Sequence, residues 1–249
     1  MDNRNKWCHN PHYRKLALLR LIVNQEEICR FICQELPRHR LQSLLESIDA
    51  AFNKSDKHLK ETYRHVPLVG PGPQSHHFMV QEALLGLPEG DGFQVVNRTT
   101  QPAGGHFALI CAGAIKITAS VVTADRTPPT REAKFRRELR QENARLQQQH
   151  PDLFEAFVPP FGPQDDAIHA LLLPYTTKWS EADHSAPLSC IIAVPYSDDL
   201  NSYHLWVDVG QLWQYYGEEE GGLADIAYPK LRDRMRDAEA RAKEEGGKG

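Results

Sequence analysis

The chain has 249 residues, 41% hydrophobic and 25% charged, with a net charge of −4. Those values suit a globular chain of one large or two modest domains, and they exclude a molecule that attracts nucleic acid or acidic membrane through its overall charge. Any such contact has to be local. No apolar run reaches the length of a membrane span, and the N-terminus (MDNRNKWCHN) carries no apolar signal segment. The five cysteines are scattered among apolar neighbours. Together these features predict a cytoplasmic protein with buried thiols and no membrane contact.

Residues 1–66 read as a helical N-terminal region. Leu16, Leu19, Ile22 and Val23 form one apolar stripe, and Asn24 with Glu27 has the spacing of a capping pair. A second stripe follows at Ile28, Phe31, Ile32 and Leu36, and Pro37 breaks it. A third runs from Arg38 through Leu41, Leu44, Leu45, Ile48 and Phe52, either onward to Leu59 and Tyr63 or to a break near Asn53. Residues 67–75 (PLVGPGPQS) read as a linker.

Residues 76–217 read as an α+β core. A short helix is expected from His76 to Leu87 and a strand from Phe93 to Arg98. His106–Cys111 and Ala114–Val122 are apolar and, in the second run, rich in β-branched residues, so they predict a hairpin turning at Gly113. Thr127-Pro128-Pro129-Thr130 ends the strands and caps a charged helix that closes at His150-Pro151. In that helix Ala133, Phe135, Leu139 and Leu146 can face a core. Ala167–Tyr175, Leu188–Pro195 and Tyr203–Val209 are further strands, and residues 218–249 form a charged, partly disordered tail. The fold class expected is therefore α+β: a helical N-terminal region followed by a mixed β-sheet core with flanking helices.

Five chemistries can be weighed against these elements. A helix, a three-stranded meander, a helix and a further strand is the order of restriction-endonuclease-like nucleases. Asp91 and the triplet Ala114-Ile115-Lys116 stand where the metal-binding residues of such an enzyme belong, but Ala114 replaces a carboxylate that a hard divalent cation needs. A phosphate grip by Arg131, Lys134, Arg136, Arg137 and Arg140, with Lys116, is the second. Glu132, Glu138 and Glu142 dilute that basicity, so a solvated face with i,i+4 pairs is favoured. The third is metal binding at Cys8-His9-x-x-His12 or Cys29-x-x-x-Cys33, where apolar neighbours of the latter pair favour buried thiols and no metal. The fourth is nucleophilic catalysis. His106 follows Gly104-Gly105, but no GxSxG, GxGxxG or Walker loop occurs, and no catalytic residue or cofactor is expected. The fifth is a partner-binding aromatic patch at Trp206, Trp213, Tyr215 and Tyr216, close to Tyr203.

The stretch Gly113–Ser120, followed after two prolines by Arg131-Glu132-Ala133-Lys134-Phe135-Arg136-Arg137-Glu138-Leu139 and Asn143, resembles a group of uncharacterised bacterial proteins found beside helix-turn-helix regulators. The resemblance extends to Ala170–Leu173 and to Tyr203–Asp208, and covers roughly residues 76–216. It implies a regulatory, toxin–antitoxin or phage-defence module, and no catalytic residue is carried across. The expectation that follows is a cytoplasmic protein-binding component of such a module. The alternative is a nucleic-acid-acting protein with a divergent or degenerate restriction-endonuclease-like core.

Overall fold

The structure, a computed structural model, describes residues 25–65, 67–100, 104–124, 133–147, 167–179, 183–199 and 202–217. The expected first stripe, the Asn24 cap, the Thr127–Thr130 stop, the His150-Pro151 end and the charged tail lie outside the described residues. The fold is α+β: N-terminal helices, then a mixed seven-stranded sheet with flanking helices. No described helix is long and apolar enough to cross a membrane.

Helix α1 occupies residues 25–35, α2 spans Arg38–Thr62 and α3 spans Pro71–Leu85. Pro37 separates α1 from α2, as a residue without a backbone N–H should. Asn53 does not interrupt α2, because Leu41, Leu44, Leu45, Ile48, Phe52 and Leu59 keep one buried stripe along its whole length. The expected connection 67–75 is shorter than its prolines imply. Pro71 is the first residue of α3, a position whose N–H has no helical acceptor and whose φ proline already supplies.

The strands are β1 (Phe93–Thr99), β2 (His106–Ala112), β3 (Ile115–Ala119), β4 (Val122–Thr123), β5 (Ile168–Thr176), β6 (Ser189–Pro195) and β7 (Tyr203–Asp208). Their order is β1-β2-β3-β5-β6-β7, with β4 also paired to β5. The contacts of β5 with β3 and β4 are parallel and the others antiparallel. The chain passes from β4 to β5 through α4 (Lys134–Arg140), a 3-10 turn (Gln141–Asn143) and α5 (Ala144–Gln147). After β7 come α6 (Val209–Leu212) and a 3-10 turn (Trp213–Tyr215).

Register separates the two faces. Val95, Ile110, Ile117 and Ala170 lie in one row across β1, β2, β3 and β5, and Ile192 and Val207 pair on the same side. These residues share a single buried cluster with Ile28, Ile32, Leu36, Leu44, Ile48, Phe52, Val80 and Leu84, so the N-terminal helices and the sheet have one core. On the other face Leu171, Leu173, Ala193 and Val122 form a smaller cluster.

Two glycines are required by close approach. Gly113 turns β2 into β3 with φ +51, and a Cβ there would collide with the Glu35 carboxylate, which accepts the Ala114 N–H at 2.7 Å. At Gly72 a Cβ would overlap the Trp179 ring. That ring stacks on His184 at 4.2 Å and meets His76 edge-on at 5.0 Å, joining α3 to the β5–β6 connection. His76 is fully buried. Its Nε2 lies 2.8 Å from the His184 carbonyl, which can only accept, so Nε2 carries the proton. Nδ1 therefore accepts from the Ser55 hydroxyl at 3.0 Å, and Ser55 in turn accepts from Ser75 at 2.8 Å.

Two side-chain amides complete the sheet where its strands part. Beyond the Leu109–Thr118 pair, β2 and β3 no longer bond to one another. Gln81 of α3 fills the gap, accepting the Ala108 N–H at 2.7 Å and donating to the Ala119 carbonyl at 3.1 Å. At the opposite end of the parallel pair, β6 ends in Pro195, which has no N–H to give. Asn143 donates to the Pro195 carbonyl at 2.8 Å and to the His169 carbonyl at 2.9 Å, and accepts the His169 N–H at 2.8 Å. Replacing Gln81 by leucine leaves a buried donor and a buried acceptor unmet, so Gln81→Leu should lower unfolding free energy by about 2–4 kcal/mol in urea denaturation. A loss below about 0.5 kcal/mol would mean that the backbone re-pairs without it.

Candidate functional site

The crossover between β4 and β5 carries the basic residues singled out in the sequence, apart from Lys116 of β3, and the structure turns Arg136 and Arg140 inward. Lys116 of β3 meets Glu142 at 2.6 Å across the face of the sheet opposite the N-terminal helices. Arg140 is buried at 6% exposure. Arg136 sits 5.0 Å from the Phe135 ring centre and donates to the Ser120 hydroxyl at 3.4 Å, while Phe135 itself stacks on Phe107 at 4.0 Å. Lys134 and Arg137 are exposed, and Lys134 lies 3.8 Å from Glu138, one turn on. Arg131 lies outside the described residues. A row of cations presented together to a phosphate chain is therefore not what this segment displays. The expected solvated face with i,i+4 pairs is present at Lys134, Arg137 and Glu138, but Arg140 departs from it and is buried at the sheet–helix junction with Asn143.

The same junction holds His169, fully buried beside Lys116 in the parallel register, with Nε2 3.0 Å from the Thr118 hydroxyl. Burial, aided by the positive charges of Arg136 and Lys116, pushes its pKa down to about 3. Asp91 takes no part in these contacts. It sits with φ +52 in the turn before β1, its side chain 88% exposed and 3.8 Å from Arg40, while Lys116 is engaged with Glu142. No hydrogen bond or ion pair joins Asp91 to Lys116. Among the described residues no group of three or more His, Cys, Asp or Glu could hold a metal ion. Cys29 and Cys33 lie one turn apart in the core, their thiols pushed up by burial to about 12 and about 11, which suits packing and not nucleophilic attack. Cys8, His9 and His12 lie outside the described residues. His106 opens β2 at the rim of a shallow groove of about 400 Å³ that Phe78, Met79, Leu85 and Asn97 also line.

The aromatic residues separate into two groups. Trp213, Tyr215 and Tyr216 are partly buried against the main core. Tyr216 donates its hydroxyl to the Leu36 carbonyl at 2.8 Å, and Arg38 lies 5.4 Å over the Trp213 ring. They clasp the chain after β7 onto α1 and α2, so part of each ring's surface is taken up by packing and part stays accessible. Trp206 differs. It is 40% exposed on β7, the last strand of the sheet. A bulge at Val194/Pro195 pairs Pro195 with Tyr203 and Val194 with Leu205, leaving His204 as the extra residue. That single extra residue puts Tyr203 and Trp206 on one face, ring centres 4.7 Å apart and edge-on. Without it a three-residue separation would send them to opposite faces.

Gln81 was not among the residues singled out and Asn143 was named only within the resemblance, although a trace of the structural role of Asn143 is present in the sequence. Asn143 stands on the apolar stripe of its helix, four residues after Leu139 and three before Leu146, where a polar side chain needs a buried partner.

The His169 geometry predicts an acid-sensitive fold. Its folded pKa lies below its unfolded value near 6.5, so the stability it contributes is full above pH about 6.5 and is lost as pH falls toward 3. Between those limits the wild type should lose about 1.4 kcal/mol per pH unit through this group, and His169→Gln should remove that part of the slope. Urea unfolding at stepped pH values checks it; equal slopes for both proteins would contradict the assignment.

No family model matches the chain, and no curated protein or solved structure is significantly similar to it.

Proposed function

We propose that the protein is a protein-binding component of a bacterial regulatory, toxin–antitoxin or phage-defence module, acting in the cytoplasm. The observation that carries this reading is the exposed Trp206 beside Tyr203 on the outermost strand β7. An edge strand offers a row of backbone donors and acceptors to an added strand, and that row alone is unselective. A large exposed aromatic braced by a second ring supplies the anchor that makes such an edge selective, because it buries much area at little entropic cost. The partner that fits is a protein presenting an extended segment with an apolar side chain for the Trp206 face. The resemblance of residues 76–216 to proteins encoded beside helix-turn-helix regulators points to the product of the adjacent gene as that partner. Trp206→Ala should weaken the co-purified complex by about 2 kcal/mol, roughly thirtyfold, in calorimetric titration. Trp213→Ala should lower thermal stability and leave affinity within about threefold, since its ring serves the core. Undiminished binding by Trp206→Ala would exclude the β7 edge.

A second reading is favoured by one observation. The order α3, β1-β2-β3, crossover helix and β5 parallel to β3 is the order of elements of a restriction-endonuclease-like core. A nucleic-acid-acting protein built on a degenerate version of that core is consistent with Ala114 in place of a metal-binding carboxylate and with Lys116 held by Glu142. The purified protein should therefore show no Mg²⁺-dependent cleavage of DNA or RNA. Cutting that disappears in Asp91→Ala or Lys116→Ala would reverse the ranking of the two readings.

A further inference from the structure

The sheet face turned toward the N-terminal helices is not covered to its end. Val95 and Ala108 are buried on it, but Asn97, two residues on from Val95, and His106, two residues before Ala108, are exposed on the same face. Beside them α3 presents Phe78, Glu82 and Leu85, spaced by four and three residues and therefore on one side of the helix. Together with Met79 these residues line a groove of about 400 Å³. Phe78 is 61% exposed, the most exposed large apolar side chain among the described residues, and it belongs to neither buried cluster. Glu82 is the one carboxylate in the lining, and no lysine or arginine lines the groove. Its carboxylate has no hydrogen bond or ion pair among the described residues. Phe78 one turn before it and Gly86 one turn after offer it no helical partner. Asn97 belongs to β1, whose only strand partner among the described residues is β2, so the outer backbone groups of β1 are open along the groove.

We propose that this groove takes an extended segment of a partner protein, added as a strand to the open edge of β1, with an apolar and a basic side chain two residues apart. The backbone of the segment meets the outer N–H and C=O groups of β1. Side chains two apart in an added strand fall on one face, here the face toward α3. The apolar one packs on Phe78, Met79 and Leu85, and the basic one meets the Glu82 carboxylate. Backbone pairing alone is unselective; the ring and the carboxylate supply the selection. An acid with no lysine or arginine beside it attracts a cation and repels a phosphate chain or an acidic peptide. The edge of β1 lies at the opposite end of the strand order from β7, so the proposal does not rest on the reading given for that edge.

Fluorescence anisotropy on the whole chain tests it, with a labelled seven-residue peptide in which valine, lysine and valine alternate with threonine. Wild-type protein should bind this peptide with Kd below about 1 mM. It should bind at least about fivefold more weakly a version with glutamate for lysine, and equally weakly a version N-methylated on the residues that pair with β1. Phe78→Ala should weaken binding by roughly fivefold or more. Glu82→Lys should reverse the preference, so that the glutamate peptide becomes the tighter ligand. Both side chains are exposed, and an unchanged thermal midpoint confirms that the variants are folded. Trp206→Ala should bind as wild type. Absence of binding, equal binding of the N-methylated peptide, or no reversal in Glu82→Lys would each overturn the proposal. So would binding lost in Trp206→Ala and kept in Phe78→Ala, which would give the peptide to the β7 edge. Self-association in sedimentation that Phe78→Ala abolishes, with no peptide bound, would give the groove to a second copy of the chain and overturn it as well.

Discussion

The structure depends on meeting backbone hydrogen bonds where the sheet comes apart. The mixed sheet is not a continuous ladder throughout: β2 leaves β3 beyond the Leu109–Thr118 pair, and β6 stops at a proline. Each fault exposes peptide groups inside a dry interior, where an unmet donor or acceptor costs about 1–3 kcal/mol. Gln81 and Asn143 each supply a side-chain amide, the one group with the donor and acceptor geometry of a peptide. Because an amide must lie in register to serve, these residues also fix where α3 and the crossover helix sit.

That constraint decides how the charged crossover segment is used. Once Asn143 is anchored between β5 and β6, the residues before it lie along the sheet. Arg140 is then buried, and Glu142 comes within reach of Lys116. Arg136 and Lys116, set beside His169, act together with its burial to keep that imidazole neutral. A segment whose composition resembles a phosphate-binding helix thus spends Arg136 and Arg140 on internal contacts, while Lys134 and Arg137 stay exposed. The surfaces left for partners are elsewhere. The β7 edge is shaped by a one-residue bulge.

A second polar junction ties the N-terminal helices to the far side of the molecule. The Ser75–Ser55–His76–His184 chain runs from α2 and α3 to the β5–β6 connection, with Trp179 seated against the bare backbone of Gly72. Burial lowers the His76 pKa, as it does for His169. The two imidazoles therefore oppose acidification from opposite sides of the same sheet. Neutral histidine is suited to such positions because it donates and accepts at once, and a hydrophobic side chain could not join helix to loop in this way.

The sequence by itself determined the helices α1 and α2, the β2–β3 hairpin turning at Gly113, the apolar strands β5 and β6, and the α+β class. These follow from periodicity and from local steric rules, which act over a few residues and are written in neighbouring letters. Proline misled in one place, at 71–75, because the same residue that breaks a helix interior also begins a helix well. Only the tertiary structure decided which polar residues are structural. The partner of Lys116 lies on the crossover segment, that of Gln81 on two strands distant in sequence, and that of Tyr216 on the end of α1. It also decided that Trp206 faces outward while Trp213 packs inward, since facing on a strand turns on register and on one inserted residue. Side-chain facing and buried polar pairing are long-range properties, fixed by what the rest of the chain brings alongside and not by a residue's own neighbours.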